Sequence, residues 1–116
     1  AGGVLVSHHH GIMASAVPAL LVLPEIVKTL RGKIPVFVDG CFENGMDVFK
    51  ALALGADAVC VGRALMPPIQ QQGAAGCQRT LEDITAELAA AMARTGSRDV
   101  RHIDTSLLWI DGKHLH

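Results

Sequence analysis

The amino-acid sequence predicts an α/β fold in which strands and helices alternate and the strands run parallel. Three short apolar runs predict the strands, and a stretch with helical spacing follows each of them: Gly3–Ser7, Ile34–Val38 and Ala58–Val61. The runs are almost continuously apolar, which is typical of parallel strands that are covered on both faces. Strand–helix–strand order with short connections indicates right-handed βαβ units.

The helices are predicted from apolar residues that recur about every three or four positions. The first runs from Pro18 to Leu30, and Gly32 marks its end. The second runs from about Asn44 to Leu54, and Gly55 is predicted to be its C-cap. The longest helix spans Gln78 to Thr95 and carries its apolar residues at Leu81, Ile84, Leu88 and Met92. The segment from Pro67 to Gly76 is rich in Pro, Gln and Gly and is predicted to be a linker.

The composition bounds the class of protein. With 116 residues, half of them apolar but only three Phe, one Trp and no Tyr, the chain should form one domain with an aliphatic core. A net charge of −1 without a basic run argues against a nucleic-acid partner. No apolar stretch reaches the roughly 18 residues of a spanning helix, so we expect no membrane association. We see no charged-then-apolar leader, and three widely spaced cysteines fit reduced thiols and a cytoplasmic location.

Three segments together carry a resemblance to a known family. They read LPEIV, KIPVFVDG and GMDVFKALALGADAVCVGR, at Leu23–Val27, Lys33–Gly40 and Gly45–Arg63. The chain from its start to about Ile103 resembles the C-terminal portion of the FMN-dependent α-hydroxy-acid oxidases and dehydrogenases, such as glycolate oxidase. The resemblance implies the last three βα units of an eight-unit TIM barrel. We therefore expect a partial barrel over residues 1–103 and a C-terminal tail over residues 104–116.

The loop after the first strand departs from the family pattern. That pattern resembles Ser-Asn-His-Gly-Gly-Arg, whereas this chain reads Ser-His-His-His-Gly-Ile from Ser7 to Ile12. The match implies that His9 stands at the catalytic base, a role that suits an imidazole because its ordinary pKa lies near neutral pH. Ile12 stands where the family has the Arg that binds the substrate carboxylate, and an alkyl side chain cannot form that charge-assisted pair.

The next two loops bear on the cofactor. The resemblance implies that Asp39 and Gly40 on the second loop and Gly62 and Arg63 on the third bind FMN, with Arg63 near the phosphate. The second loop departs from the family pattern at two positions: Cys41 replaces a Gly, and Glu43 replaces an Arg that contacts the phosphate. A carboxylate at that position repels a phosphate.

Other interpretations of these residues remain open at the level of sequence. The triplet His8–His10 is interpreted as a relic of a catalytic loop, a solvated loop or a metal site. Consecutive residues rarely converge on one ion, so we expect no metal. Arg63 binds an anion or forms a surface ion pair, and Asp39 belongs to a ligand site or caps a helix. The apolar run Leu107–Ile110 is either a docked tail or an association patch.

Two functional hypotheses follow. The first is a C-terminal fragment of an FMN-dependent 2-hydroxy-acid oxidase-like protein, which we expect to be inactive alone because two Arg residues and the earlier barrel units are lacking. The second is a non-catalytic, self-associating α/β module that binds a phosphate-bearing small molecule. Three units leave two open sheet edges. We therefore expect a homo-oligomer, the more economical solution, or a complementary N-terminal barrel half.

Overall fold

The computed structural model describes residues 1–9, 12–110 and 113–114, without the side chains of residues 110, 113 and 114. Within these residues three short strands form one parallel sheet: β1 (Val4–Val6), β2 (Val36–Val38) and β3 (Ala58–Val59). β2 lies in the centre, and its Phe37 pairs with Leu5 on one side and Ala58 on the other. The predicted α/β class with parallel strands is confirmed, although each strand is shorter than its apolar run.

Two helices connect these strands. α1 (Ala19–Leu30) starts after Pro18 and ends at Arg31, which adopts a left-handed conformation with φ 50°. α2 (Gly45–Ala53) is capped by Asn44, whose side-chain oxygen accepts a hydrogen bond from the N–H of Asp47 at 2.9 Å. The bounds of both helices are within one or two residues of the predicted ones, because capping residues can be recognised in the sequence.

The prediction of a linker from Pro67 to Gly76 was wrong. A 3₁₀ turn (Arg63–Leu65) leads directly into α3 (Met66–Thr95), a long helix that is interrupted by non-helical angles at Gly73. Pro67 and Pro68 occupy the first helical turn, where the missing N–H of proline costs no helical hydrogen bond. The prolines therefore begin this helix, and the glycine divides it. Among the described residues, no helix is long and apolar enough to cross a membrane.

The core lies on one face of the sheet. Val6, Val36 and Val38 are buried there against Leu23 of α1 and Ala51 of α2. On the other face the side chain of Leu5 is 52% exposed and that of Phe37 is 37% exposed. The expectation that the strands are buried on both faces was therefore wrong for the chain alone. In a closed barrel this second face would be the interior.

α3 packs on α2 through an unusually close approach. A Cβ at Gly45 would lie 2.6 Å from the carbonyl oxygen of Ile84, and the N–H of Gly45 donates to Glu87 Oε2 at 2.7 Å. Only a residue without a side chain permits this contact. The first turn of α2 is thereby fixed to the middle of α3.

The tail is partly docked on the body. A 3₁₀ turn (Thr105–Leu107) precedes β4 (Trp109–Ile110), which pairs antiparallel with β5 (Lys113–His114). Leu108 packs against the core, whereas the side chain of Trp109 is 62% exposed. The contact of Leu108 with the core therefore fits the interpretation of this run as a docked tail. Residues 111, 112, 115 and 116 lie outside the described part of the tail.

Candidate functional site

The carboxyl ends of the three strands meet at one edge of the sheet, as they do in parallel α/β folds. Backbone hydrogen bonds fix them to one another: the N–H of Asp39 donates to the carbonyl of Val6 at 3.1 Å, and that of Cys60 donates to the carbonyl of Val38 at 2.9 Å. Loop residues that are far apart in sequence are thereby brought together. The loops that carry the predicted site residues therefore begin at the same edge of the sheet.

A cavity of about 240 Å³ lies between the second and third loops. Its lining contains four of the five predicted site residues, Asp39, Gly40, Gly62 and Arg63, together with Cys41, Phe42, Glu43, Cys60, Val61 and Ala64. Arg63 is the only cationic residue of this lining, and Asp39 and Glu43 are anionic. An anionic ligand in this cavity would therefore be attracted by Arg63 and repelled by Asp39 and Glu43.

His9, the fifth predicted residue, does not line this cavity. It is exposed, its backbone is left-handed with φ 52°, and its N–H donates to Ser7 Oγ at 3.0 Å. His10 lies outside the described residues. Of the two described residues of the histidine triplet, His8 and His9, the exposed one is His9.

His8 is the residue that the sequence interpretation missed. It is half-buried, and its ring lies against Gly40, where a Cβ would be 3.0 Å from His8 Nε2. A signal existed, because side chains two positions apart in a strand share a face. His8 stands two residues after the buried Val6. The first loop thus contacts the second through His8.

The amino end of α2 is closed by the chain's own side chains. Asn44 is the N-cap, so Asp39 does not cap this helix. Asp47 Oδ2 accepts from the N–H of Glu43 at 3.1 Å, and Glu87 Oε2 accepts from that of Gly45 at 2.7 Å. These carboxylates occupy N–H groups that could otherwise bind an anion. The helix does not offer its dipole to a phosphate.

The described residues do not fit FMN as a whole. Gly62 leaves room for close approach, since a Cβ there would meet no atom within 4 Å, and Arg63 follows it. At Gly40, however, the His8 ring fills the space, and Glu43 faces the same cavity. The cavity of about 240 Å³ is also smaller than typical cofactor pockets, which hold roughly 300–1,000 Å³. The residues suit a phosphate-sized group beside Arg63 and little more.

Among the described residues, no group of three or more His, Cys, Asp or Glu side chains is arranged to hold a metal ion. Ile12 is 81% exposed and supplies no hydrogen-bond donor from its side chain. The lining of the strand-end cavity contains the guanidinium of Arg63, the thiols of Cys41 and Cys60, and the carboxylates of Asp39 and Glu43.

Residues 1–110 match the family model described as FMN-dependent dehydrogenase. Human 2-hydroxyacid oxidase 1 is 47% identical over 107 residues, which are 91% of this chain and 29% of the human protein. The 2-hydroxyacid oxidase of Dictyostelium discoideum is 39% identical over 116 residues, 99% of this chain and 30% of that protein.

Solved structures agree with this relationship. A crystal structure of mandelate oxidase with benzoyl-formic acid superimposes with a TM-score of 0.83 at 42% identity, covering 86% of this chain and 30% of the oxidase. Another structure, of a mandelate oxidase mutant, contains a monooxide FMN adduct. The chain spans about a third of the length of these relatives. It belongs to the FMN-dependent dehydrogenase family, and its three parallel strands and helices match the C-terminal part of a flavin-oxidase TIM barrel.

Proposed function

We propose that the chain is the C-terminal part of an FMN-dependent 2-hydroxy-acid oxidase-like barrel and that these 116 residues do not oxidise 2-hydroxy acids by themselves. The observation that carries the proposal is that Ile12 and Glu43 occupy two strand-end positions where the family resemblance implies Arg residues.

The substrate side lacks its anchor. A 2-hydroxy acid carries a carboxylate, which a guanidinium binds through two parallel charge-assisted hydrogen bonds. Ile12 offers only an exposed alkyl group at this position. Without that anchor the hydroxyl group of the acid is not held near an imidazole, and a misplaced substrate reacts far more slowly.

Binding of the FMN phosphate is weakened in the same way. FMN would supply the acceptor for the two electrons of the substrate, and its phosphate would be held by Gly62 and Arg63. Glu43 adds a negative charge to the lining of that cavity. The side chains of Glu87 and Asn44 meanwhile accept hydrogen bonds from two N–H groups in the first turn of α2, those of Gly45 and Asp47. Arg63 alone would have to offset these charges.

The open sheet is the second part of the proposal. Leu5 and Phe37 expose apolar surface on the face away from the helices, and apolar surface of this kind favours association. We propose that complementary strand–helix units, like those that complete the longer relatives, cover this face. Self-association, the expectation from the sequence alone, is the competing outcome. The mass in solution separates them, since a homo-oligomer has a multiple of 12.2 kDa.

The test uses the purified 116-residue chain with FMN added. We expect no flavin absorption band to remain with the protein after gel filtration and no peroxide from glycolate, lactate or mandelate. The control is His9→Ala, which removes the imidazole that the family resemblance assigns as base. Stoichiometric bound FMN together with peroxide production above this control would overturn the proposal.

A second candidate, a non-catalytic module that binds a phosphate-bearing ligand, is favoured by the position of Arg63 beside the open Gly62. Inorganic phosphate should then raise the melting temperature, and Arg63→Ala should abolish the shift. Absence of a shift in the unmodified chain would remove this candidate.

The cytoplasmic location stays a prediction. Two plant relatives are named as peroxisomal (S)-2-hydroxyacid oxidases, so a peroxisomal location is the alternative. Imaging of the tagged protein would decide between them.

A further inference from the structure

Two of the three cysteines lie at the same edge of the sheet, and neither has a role in the function proposed above. Cys41 follows β2 and Cys60 follows β3, and both line the strand-end cavity. We propose that they form a dithiol pair, which a hydroperoxide oxidises to a disulfide across this cavity. The proposal is independent of FMN, because it needs only the two thiols and the oxidant.

The fold brings the loops that carry the two cysteines to the lining of one cavity. β2 and β3 are hydrogen-bonded neighbours, with Val38 paired to Val59. The N–H of Cys60 donates to the carbonyl of Val38 at 2.9 Å, which fixes the start of the third loop against the end of the second strand. Neighbouring strands lie about 4.8 Å apart, and disulfides join Cα atoms about 4.4–6.8 Å apart. Cys41 is three residues beyond Val38, within reach of the same cavity.

Both thiols are also accessible to an oxidant. Cys41 and Cys60 are exposed, whereas Cys77 is only partly exposed and lies on α3. Cys41 also adopts a left-handed conformation with φ 59°, which a residue with a Cβ rarely adopts. Strained backbone of this kind is concentrated at functional sites.

Disulfide formation is the chemistry that two thiols can complete without further ligands. A structural metal site would need three or four protein ligands, and the described residues contain no group of three His, Cys, Asp or Glu side chains that could hold an ion. Instead, the second and third loops, which line the cavity, contribute one thiol each. An exposed pair of this type is open to peroxide.

The reaction balances with a hydroperoxide as oxidant. One thiolate attacks the terminal oxygen of the peroxide, the O–O bond breaks, and the thiol becomes a sulfenic acid while water or an alcohol leaves. The second thiol then attacks that sulfur, the S–S bond forms, and water leaves. Two thiols lose two electrons and two protons in total, and the hydroperoxide is reduced by the same two electrons.

Tryptic mapping tests this proposal directly, because each cysteine falls in its own peptide: 34–50, 51–63 and 64–79. The folded chain is treated with hydrogen peroxide, blocked with an alkylating reagent and digested without reductant. We expect one linked species that joins peptides 34–50 and 51–63, with Cys77 alkylated. Dithiothreitol should release both peptides.

Three controls make the result specific to the fold. Cys77→Ala should form the same link at an unchanged rate, whereas Cys41→Ser should abolish it. The chain unfolded in urea should give links among all three peptides. If folded protein instead gives Cys41 and Cys60 separately oxidised or separately alkylated, or gives the mixed pairings of the unfolded chain, the proposal is wrong.

Discussion

Asp57 binds Val36 twice at the boundary between β2 and β3. The N–H of Asp57 donates to the carbonyl of Val36 at 2.8 Å, and Asp57 Oδ2 accepts from the N–H of Val36 at the same distance. One side chain therefore satisfies the first backbone donor of the central strand. These two hydrogen bonds fix the register of β3 on β2, and that register determines where the strand-end loops begin.

Removing this carboxylate should destabilise the fold. Asp57→Ala leaves the N–H of Val36 without its partner, so we expect the free energy of unfolding to fall by about 1–3 kcal/mol. Urea denaturation measures the loss, and Asp83→Ala on the exposed side of α3 is the matched control. An unchanged midpoint for Asp57→Ala would show that this pair does not stabilise the sheet.

Gly45→Ala should separate α2 from α3. The added Cβ would lie 2.5 Å from the Cβ of Glu87 and 2.6 Å from the carbonyl oxygen of Ile84. Overpacking of this kind costs about 1–3 kcal/mol, which thermal unfolding would report as a lower melting temperature. Gly62→Ala is the control, because its Cβ would meet nothing within 4 Å. Equal melting temperatures for the two variants would contradict the close approach.

The contact of His8 with Gly40 can be measured as a coupling energy. Gly40→Ala combines a strained φ of 118° with a Cβ 3.0 Å from the imidazole, so we expect a loss of about 1–3 kcal/mol. His8→Ala removes the clash but not the backbone strain. A double-mutant cycle should therefore show a favourable interaction term above about 0.5 kcal/mol. Strictly additive losses would place the ring elsewhere.

The turn before the tail should loosen in acid. The hydrogen bond with His102, whose Nδ1 lies 2.7 Å from Asp99 Oδ2, is the main cause that lowers the pKa of Asp99, and the N–H of Arg101 adds to it. A carboxylate with a lowered folded pKa stabilises the fold above its unfolded pKa and loses that contribution as pH falls through the folded value.

NMR titration of the carboxyl carbons tests this prediction. His102→Ala should raise the pKa of Asp99 toward its ordinary value. It should leave Asp104 unchanged, because the N–H of Ser106 is the main group that lowers the pKa of Asp104. An Asp99 carbon that titrates identically in both proteins would remove His102 as the cause.

Local signals in the sequence were sufficient to predict α1 and α2, but not the start of α3 or the geometry of the site. Asn44 and Gly55 mark the limits of α2 in the sequence, and the structure has them there. Pro67 and Pro68 suggest a linker because proline is read as a helix breaker, although the first turn of a helix accepts it. No local pattern could show that Gly40 lies against His8, because this contact joins two loops that meet only through the sheet.

The strand-end site has Ile12 and Glu43 at two positions where the family resemblance implies Arg, and we propose that an active oxidase needs a guanidinium group at each of them. The most direct measurement places this chain in the matching segment of human 2-hydroxyacid oxidase 1 and compares kcat/KM for a 2-hydroxy acid with and without Ile12→Arg and Glu43→Arg. We predict low turnover for the unaltered segment and a recovery of roughly 10- to 100-fold with both substitutions, since a charge-assisted hydrogen bond contributes about 1.5–3 kcal/mol. Full activity of the chimera with Ile12 and Glu43 in place would contradict the claim.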